Sequence, residues 1–221
     1  MNIRDFSGAL YKNRFNVDDI RKKNIIWKII CKHFLQRYIH SEAVVLDIGT
    51  GFGEFINNIQ CKEKYAVDTS ENARHYINAG IKFIYRPGRD LSFLGNEVID
   101  IVFISNFSEH LTSKQELVNS IEEIRRVLKK RGKLLILGPN IKYAYKAYWD
   151  FFDHNIPLSD KGMVEVLRVF GFAIREVIPQ FLPYTTKSKL PKNAFAVWFY
   201  LKFPILWKII GKQMFIVAEK C

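Results

Sequence analysis

At 221 residues, 48% hydrophobic and 25% charged, the chain has the size and balance of one folded domain rather than of a disordered segment. Cys31, Cys61 and Cys221 stand far apart with no CxxC pair, which argues against a disulfide framework or a cysteine zinc site and fits a reducing compartment. A net charge of +12 raises affinity for phosphates, anionic lipid headgroups or acidic substrates without choosing between them, and a solvated basic surface explains it equally well.

In chain order, Met1-Asn2-Ile3-Arg4-Asp5 lacks the apolar core of a signal peptide, so a cytoplasmic location is expected. From about Val17 to Tyr38, Ile25, Ile26, Ile29, Ile30, Phe34 and Leu35 recur at helical spacing among basic residues. They predict an amphipathic helix that packs on a sheet or covers a ligand cleft. Residues 1–40 therefore read as an N-terminal helical segment and 41–221 as the main domain. Strand-like runs follow near 43–48, 64–68, 81–85, 99–104, 133–138, 172–178 and 213–218, with helix-like runs near 53–60, 71–79, 114–129 and 160–169. The alternation predicts an α/β fold, a seven-stranded and mostly parallel sheet with helices on both faces, whose ligand-binding loops follow the strands.

Two stretches between these elements carry their own signals. Lys129-Lys130-Arg131-Gly132-Lys133 places basic residues where they complement a helix dipole, with Gly132 suited to the C-terminal cap. From 181 to 212 the sheet pattern is interrupted by Phe195, Trp198, Phe199, Tyr200, Phe203, Leu206 and Trp207, studded with lysines. Lys202 and Pro204 interrupt it too often for a membrane span. It reads as an insertion before the last strand, either a cap on the substrate cleft or an element lying on a membrane surface.

The most specific signal is the first βα junction, Val44-Val45-Leu46-Asp47-Ile48-Gly49-Thr50-Gly51-Phe52-Gly53. An apolar strand delivers an acid and three alternate glycines into what looks like a helix N-terminus, a geometry that brings backbone close to a nucleotide-like ligand. The second strand, Tyr65-Ala66-Val67, ends in Asp68, where a carboxylate can accept hydrogen bonds from ribose hydroxyls. The GTGFG spacing departs from the GxGxxG dinucleotide fingerprint, which places a nicotinamide-dependent oxidoreductase well down the order.

This arrangement resembles the class I S-adenosylmethionine-dependent methyltransferases. Asp100-Ile101-Val102-Phe103-Ile104 leading to Glu109-His110-Leu111, and Arg126-Val127-Leu128 leading to Gly132-Lys133-Leu134-Leu135-Ile136, are similar to that family's fourth strand, the following helix and the fifth strand. The resemblance covers roughly 41–140 well. It implies a Rossmann-like fold with S-adenosylmethionine as cofactor and no metal. Asp47, Gly49, Thr50, Gly51, Gly53, Asp68 and Thr69 would line the cofactor's methionine and ribose portions, and Asn106 and Phe107 would lie beside its sulfonium. Pro87 stands where the family carries an acid after the third strand, so Asp90, or the backbone around Leu91, would have to contact the adenine. Phe152-Asp153-His154-Asn155-Ile156-Pro157 and the late Gly211-Lys212-Gln213 are similar to a bacterial subgroup associated with surface-glycan pathways.

Methyl transfer from a sulfonium is a direct displacement, so alignment of the acceptor contributes much and a base matters mainly when the acceptor is a hydroxyl. His110 is the leading catalytic candidate, with ordering of the loop by Glu109 and His110 the competing role. His154, with Asp153 beside it to orient the ring, is the second candidate, and local capping is the alternative for that pair. No Asp-Pro-Pro-Tyr-like run follows the fourth strand, which disfavours methylation of nucleobase amino groups. The expected activity is O-methylation of a small-molecule, glycan or lipid-linked acceptor, with peripheral membrane contact through 181–212. An RNA methyltransferase and a non-catalytic cofactor-binding protein are the alternatives. Nucleic acid is the less favoured partner, because no recognisable RNA-binding module is appended.

Overall fold

The structure, a computed structural model, describes residues 17–184 and 193–221. One sheet organises them: β1 (Val44–Ile48), β2 (Glu63–Asp68), β3 (Lys82–Tyr85), β4 (Ile99–Ser105), β5 (Leu128–Pro139), β6 (Phe172–Ile178) and β7 (Gln213–Lys220), in the spatial order β3-β2-β1-β4-β5-β7-β6. The pairs β1/β2, β1/β4, β2/β3 and β4/β5 are parallel, while β7 runs antiparallel to both β5 and β6. The strand order reverses at β1, which has β2 on one side and β4 on the other. Ligands of open α/β sheets bind at such a reversal, beyond the carboxyl ends of the strands.

The two-residue period of the strands divides the core into two layers. Val45, Ile101, Phe103, Leu135, Leu137, Phe215 and Val217 face one side, against α1 (Val17–His33), α5 (Ala194–Lys202) and α6 (Pro204–Ile210). Leu46, Ile48, Val102, Ile104, Leu134, Ile136, Met214 and Ile216 face the other, against α2 (Lys114–Val127) and α4 (Asp160–Val169). Central strands buried on both sides explain the near-continuous apolar runs in the sequence.

An aromatic knot locks the first layer. Phe34, just past α1, stacks on Phe181 with ring centroids 4.1 Å apart and meets Phe215 and Trp207 edge-on at 5.1 and 5.8 Å. Trp207 donates its indole N–H to the Tyr200 carbonyl (2.8 Å), and the Tyr200 hydroxyl donates to the carbonyl of Phe181. The 181–212 stretch therefore contains two short helices seated on α1, over one face of the sheet. Residues 185–192, between Tyr184 and these helices, lie outside the described residues. Among the described residues, no helix is long and apolar enough to cross a membrane. On its outer side the helix pair exposes Phe195, Phe199, Phe203, Ile205 and Ile209.

Several local expectations are corrected. The 53–60 run forms successive turns, because Asn57 and Asn58 send their amides to the carbonyls of Tyr76 and Glu54, bonds that compete with helix propagation. The 71–79 run is a 3-10 segment, Glu71–Tyr76. Gly132 is no helix cap: α2 ends at Val127, and the left-handed residue is Arg131 (φ +63°). A Cβ on Gly132 would lie 2.8 Å from the Lys129 carbonyl oxygen, so its role is close backbone approach within β5. Helix α3 (Ile141–Tyr148) was not anticipated. At the sheet's outer edge the β6/β7 register shifts between Ile174 and Glu176.

Phe34→Ala is expected to cost about 3–5 kcal/mol in urea unfolding, because the ring is 2% exposed among four aromatic partners. Ile25→Ala, on the half-exposed outer face of α1, is expected to stay within about 0.5 kcal/mol.

Candidate functional site

The glycine turn beyond β1 is built on backbone that only glycine adopts easily. Gly49, Gly51 and Gly53 have φ of +74°, +53° and +70°. The turn is sewn to the tip of β2: the amides of Gly49 and Thr50 donate to the Val67 carbonyl (2.8 and 3.2 Å), and the Gly51 amide donates to Asp68 Oδ2 (2.8 Å). Asp68 Oδ1 accepts the Ser70 amide at 2.8 Å. Each carboxylate oxygen of Asp68 thus holds a main-chain donor. Thr50 donates its hydroxyl to Asp47 Oδ2 (2.8 Å).

Three carboxylates converge here although the whole chain carries +12. Burial pushes the Asp47 carboxyl up to about 8, the Thr50 bond working against this and the nearby charges of Glu54 and Asp68 adding to it. Asp68 is raised as well, burial outweighing its bonds to the amides of Gly51, Ser70 and Thr69. Glu54 is anchored by Lys23 of α1 at 2.7 Å. Such a turn favours a cationic ligand over an anionic one.

Loops after β1, β3 and β4 meet around Phe107. A Cβ on Gly49 would lie 3.1 Å from the Phe107 ring, and one on Gly88 would lie 2.4 Å from the Ile48 side chain and 2.8 Å from Phe107 Cζ. Gly88 was not singled out from sequence, and the space it leaves is what admits the ring. Asn106, which enters this loop with φ +47°, donates its amide to the Leu137 carbonyl at 2.9 Å. Asp90 turns to its own loop, bonded to Arg86 (2.8 Å) and Ser92 (2.7 Å). Leu91 is fully buried, its N–H donating to Glu123 (3.3 Å) and its carbonyl accepting from Arg126 (3.0 Å). The backbone contact envisaged for Leu91 is therefore committed to α2, whereas the glycine turn, Asp68 and Phe107 are brought together.

The two histidine candidates are neighbours, with ring centroids 4.9 Å apart and edge-to-face. Asp153 orients His110 and not the adjacent His154: His110 Nδ1 lies 3.2 Å from both the Asp153 carboxylate and its carbonyl oxygen. The orienting partner of His154 comes from 30 residues away, the Tyr184 hydroxyl at 3.0 Å from Nδ1. Glu109 lies beneath them, 3% exposed, and its carbonyl accepts the amides of Asn155 (2.7 Å) and Ile156 (3.3 Å), tying the β4 loop to the loop after α3. Burial raises the Glu109 carboxyl. For His110 burial opposes the charged form, but the Asp153 bond and the Glu109 charge prevail and hold it above its ordinary range. A small cavity lined in part by Phe107, Ser108, Glu109, Gly138 and Pro139 borders the cluster.

Asn140 supports this corner and was missed from sequence. Fully buried, it caps α3 through the Lys142 amide and donates its own amide group to Asp160 (2.9 Å) and the Pro179 carbonyl (3.0 Å). Its position after Pro139, before the helical spacing of 141–148, is a legible N-cap signal. Tyr184 had no local signal.

A family model described as a methyltransferase domain matches residues 46–136. The uncharacterized protein MJ1123 of Methanocaldococcus jannaschii is 31% identical over 181 residues, 78% of this chain and 82% of that protein. Among solved structures, a SAM dependent methyltransferase from Archaeoglobus fulgidus superposes with a TM-score of 0.66 at 21% identity, covering 87% of this chain and 92% of its own. A methyltransferase of Haloferax volcanii, solved in complex with the Trm112 methyltransferase activator, gives 0.70 at 18% identity and covers 99% and 97%.

The raised Asp47 carboxyl makes a prediction of definite sign. A folded-state value near 8 against 3.8 for the free side chain means that stability from the neutral form is full below about pH 4 and is lost progressively up to pH 8. Asp47→Asn keeps an acceptor for Thr50 and cannot ionise. Relative to the parent, the ligand-free variant is expected to gain stability in urea unfolding between pH 5 and pH 8, and an unchanged difference would contradict the assignment.

Proposed function

The chain belongs to the class I S-adenosylmethionine-dependent methyltransferases, and from that premise we propose that it methylates an oxygen of a small-molecule, glycan or lipid-linked acceptor. S-adenosylmethionine supplies an electrophilic methyl group on a positively charged sulfur. The residues at the first βα junction suit such a ligand: Asp68 offers a carboxylate, a bound cation would favour ionisation of the buried Asp47 carboxyl, and Gly49, Thr50, Gly51 and Gly53 form a turn with little side-chain bulk. Asp68 and Thr69 would hold the ribose, and Asn106 and Phe107 would border the methyl-bearing end. Asp90 and Leu91 are the less suited pair for the adenine, given their local bonds.

The observation that carries the oxygen assignment is the pairing of His110, on the loop that follows β4, with Asp153 beside His154. A hydroxyl must lose its proton as the new C–O bond forms, whereas a neutral amine attacks through its lone pair and sheds its proton afterwards. Glu109, His110 and His154 bring three proton-accepting side chains together. On α3 and the chain that leads from it to His154, Tyr145, Trp149 and Phe152 are 55%, 62% and 75% exposed, flat apolar surfaces that suit a sugar ring or a lipid chain. The outer faces of α5 and α6, apolar but carrying Lys202 and Lys208, support contact with an anionic membrane surface where a lipid-linked acceptor resides.

With labelled S-adenosylmethionine, label is expected to enter the glycan or lipid fraction of an acceptor pool and to fall about 10²–10⁴-fold in His110→Ala. Entry into RNA alone would overturn the reading. Binding of the cofactor, read by calorimetry, is expected to weaken at least about tenfold in Asp68→Ala through loss of charge-assisted bonds. The membrane contact is read by sedimentation with anionic vesicles after Phe195→Ser and Phe199→Ser, which leave the core intact, whereas Trp207 is 9% exposed and unsuitable. Equal sedimentation of parent and variant would exclude it.

A further inference from the structure

We propose that Glu109, His110 and His154 form a three-ligand site for a divalent transition-metal cation. The candidate ligand atoms of these three residues all lie within 4.8 Å of one another. Around an ion with bonds of about 2.1 Å, neighbouring ligand atoms stand roughly 3–4 Å apart, so modest side-chain adjustment closes the site. Two imidazoles and one carboxylate are a donor set that takes zinc, iron or their neighbours and leaves coordination positions open.

The surroundings carry the second half of the argument. A ligating imidazole is ordinarily fixed through its other ring nitrogen by a carboxylate, carbonyl or hydroxyl, which sets its tautomer and raises its basicity. His110 has that partner in Asp153, at 3.2 Å from Nδ1, and His154 has it in Tyr184, at 3.0 Å from Nδ1. Glu109 and Asp153 bring two carboxylates to one corner, and Lys142 pairs with Asp160 at 2.8 Å. Glu109 is buried against the space above Gly138, where a Cβ would lie 3.8 Å from its Oε2. An inaccessible carboxylate with imidazoles as neighbours is an arrangement that a bound cation stabilises more than water does. The Glu109 backbone is also clamped to Asn155 and Ile156, which keeps the loops carrying His110 and His154 in one relation to each other.

Glu109, His110 and His154 stand out in the sequence as separate loop and base candidates, but not as one site, because they sit on two loops 44 residues apart and lack the usual cysteine spacing. The site stands whether or not the acceptor is an oxygen. Where the acceptor is a hydroxyl, the cation would polarise it and make its proton easier to remove.

Co²⁺ is the probe. Metal-stripped protein carrying Cys221→Ser, to remove the exposed thiol, is titrated with Co²⁺ and followed by visible absorption and equilibrium dialysis. One ion per chain is expected, with the intense absorption of a low-coordinate site. Binding should weaken more than about 100-fold in His154→Ala and Glu109→Gln and about 10–100-fold in Tyr184→Phe, which leaves all three ligands in place. His33→Gln and His75→Gln, both on exposed residues, should bind as the parent does. A spectrum of the hydrated ion in the parent protein overturns the proposal, as does unchanged binding in Tyr184→Phe and in whichever ligand variants retain the parent's circular dichroism. Loss of Co²⁺ binding with methyl transfer unaffected by metal stripping would also overturn a catalytic role for the ion while leaving the oxygen-acceptor reading intact.

Discussion

The bond from the Gly51 amide to the Asp68 carboxylate is the constraint on which the ligand end of this molecule depends. It fixes a turn of left-handed glycines, which have no side chains of their own to hold them, against the tip of the neighbouring strand. The Val67 carbonyl makes the same tie twice more through Gly49 and Thr50. The carboxylate that would bind a sugar is thus also the group that shapes the turn, and the two tasks cannot be varied separately. Burial, reinforced by the neighbouring acids, makes the carboxyls of Asp47 and Asp68 harder to ionise.

Support for that turn comes from both layers. On one side α1 reaches it through Lys23 and Glu54, and through Asn24, whose side-chain oxygen accepts from the Asn58 amide at 2.8 Å. On the other, Phe107 fills the space left by two glycines and carries the β4 loop onto the first junction. Beyond Phe107 the same loop continues into Glu109 and His110. The glycine turn and the histidine cluster are therefore both reached from one short stretch of chain. A shift at Phe107 moves both.

The strands and the two-layer core were legible because buried parallel strands leave long β-branched runs, and because Asp47, the glycines and Asp68 sit at the strand tips where the pattern places them. What escaped was whatever depends on a side chain choosing a distant or unexpected partner. Asn57 and Asn58 spent their amides on carbonyls and turned a helix-like run into turns. Asp153 passed over its neighbour for His110, while Tyr184 crossed 30 residues to His154. Gly132 looked like a cap because composition cannot tell a left-handed φ from a need for space. The 181–212 stretch showed its aromatic content but not its sidedness. Phe181, Tyr200 and Trp207 are buried while Phe195, Phe199 and Phe203 face outward, and only tertiary packing decides which.

The irregularity between Ile174 and Glu176 has a consequence for how copies of the chain meet. An outermost strand with a regular ladder offers a template onto which a second molecule can add its own strand. Here the extra residue twists that border and breaks the repeat of donors and acceptors, and Arg37 and Tyr38 cover Glu176 from above. The opposite border, β3, is only four residues long. Both margins are blunted against growth of the sheet, so the exposed aromatic helices can stay available for recognition without the β-structure beneath them becoming a seed for fibrils.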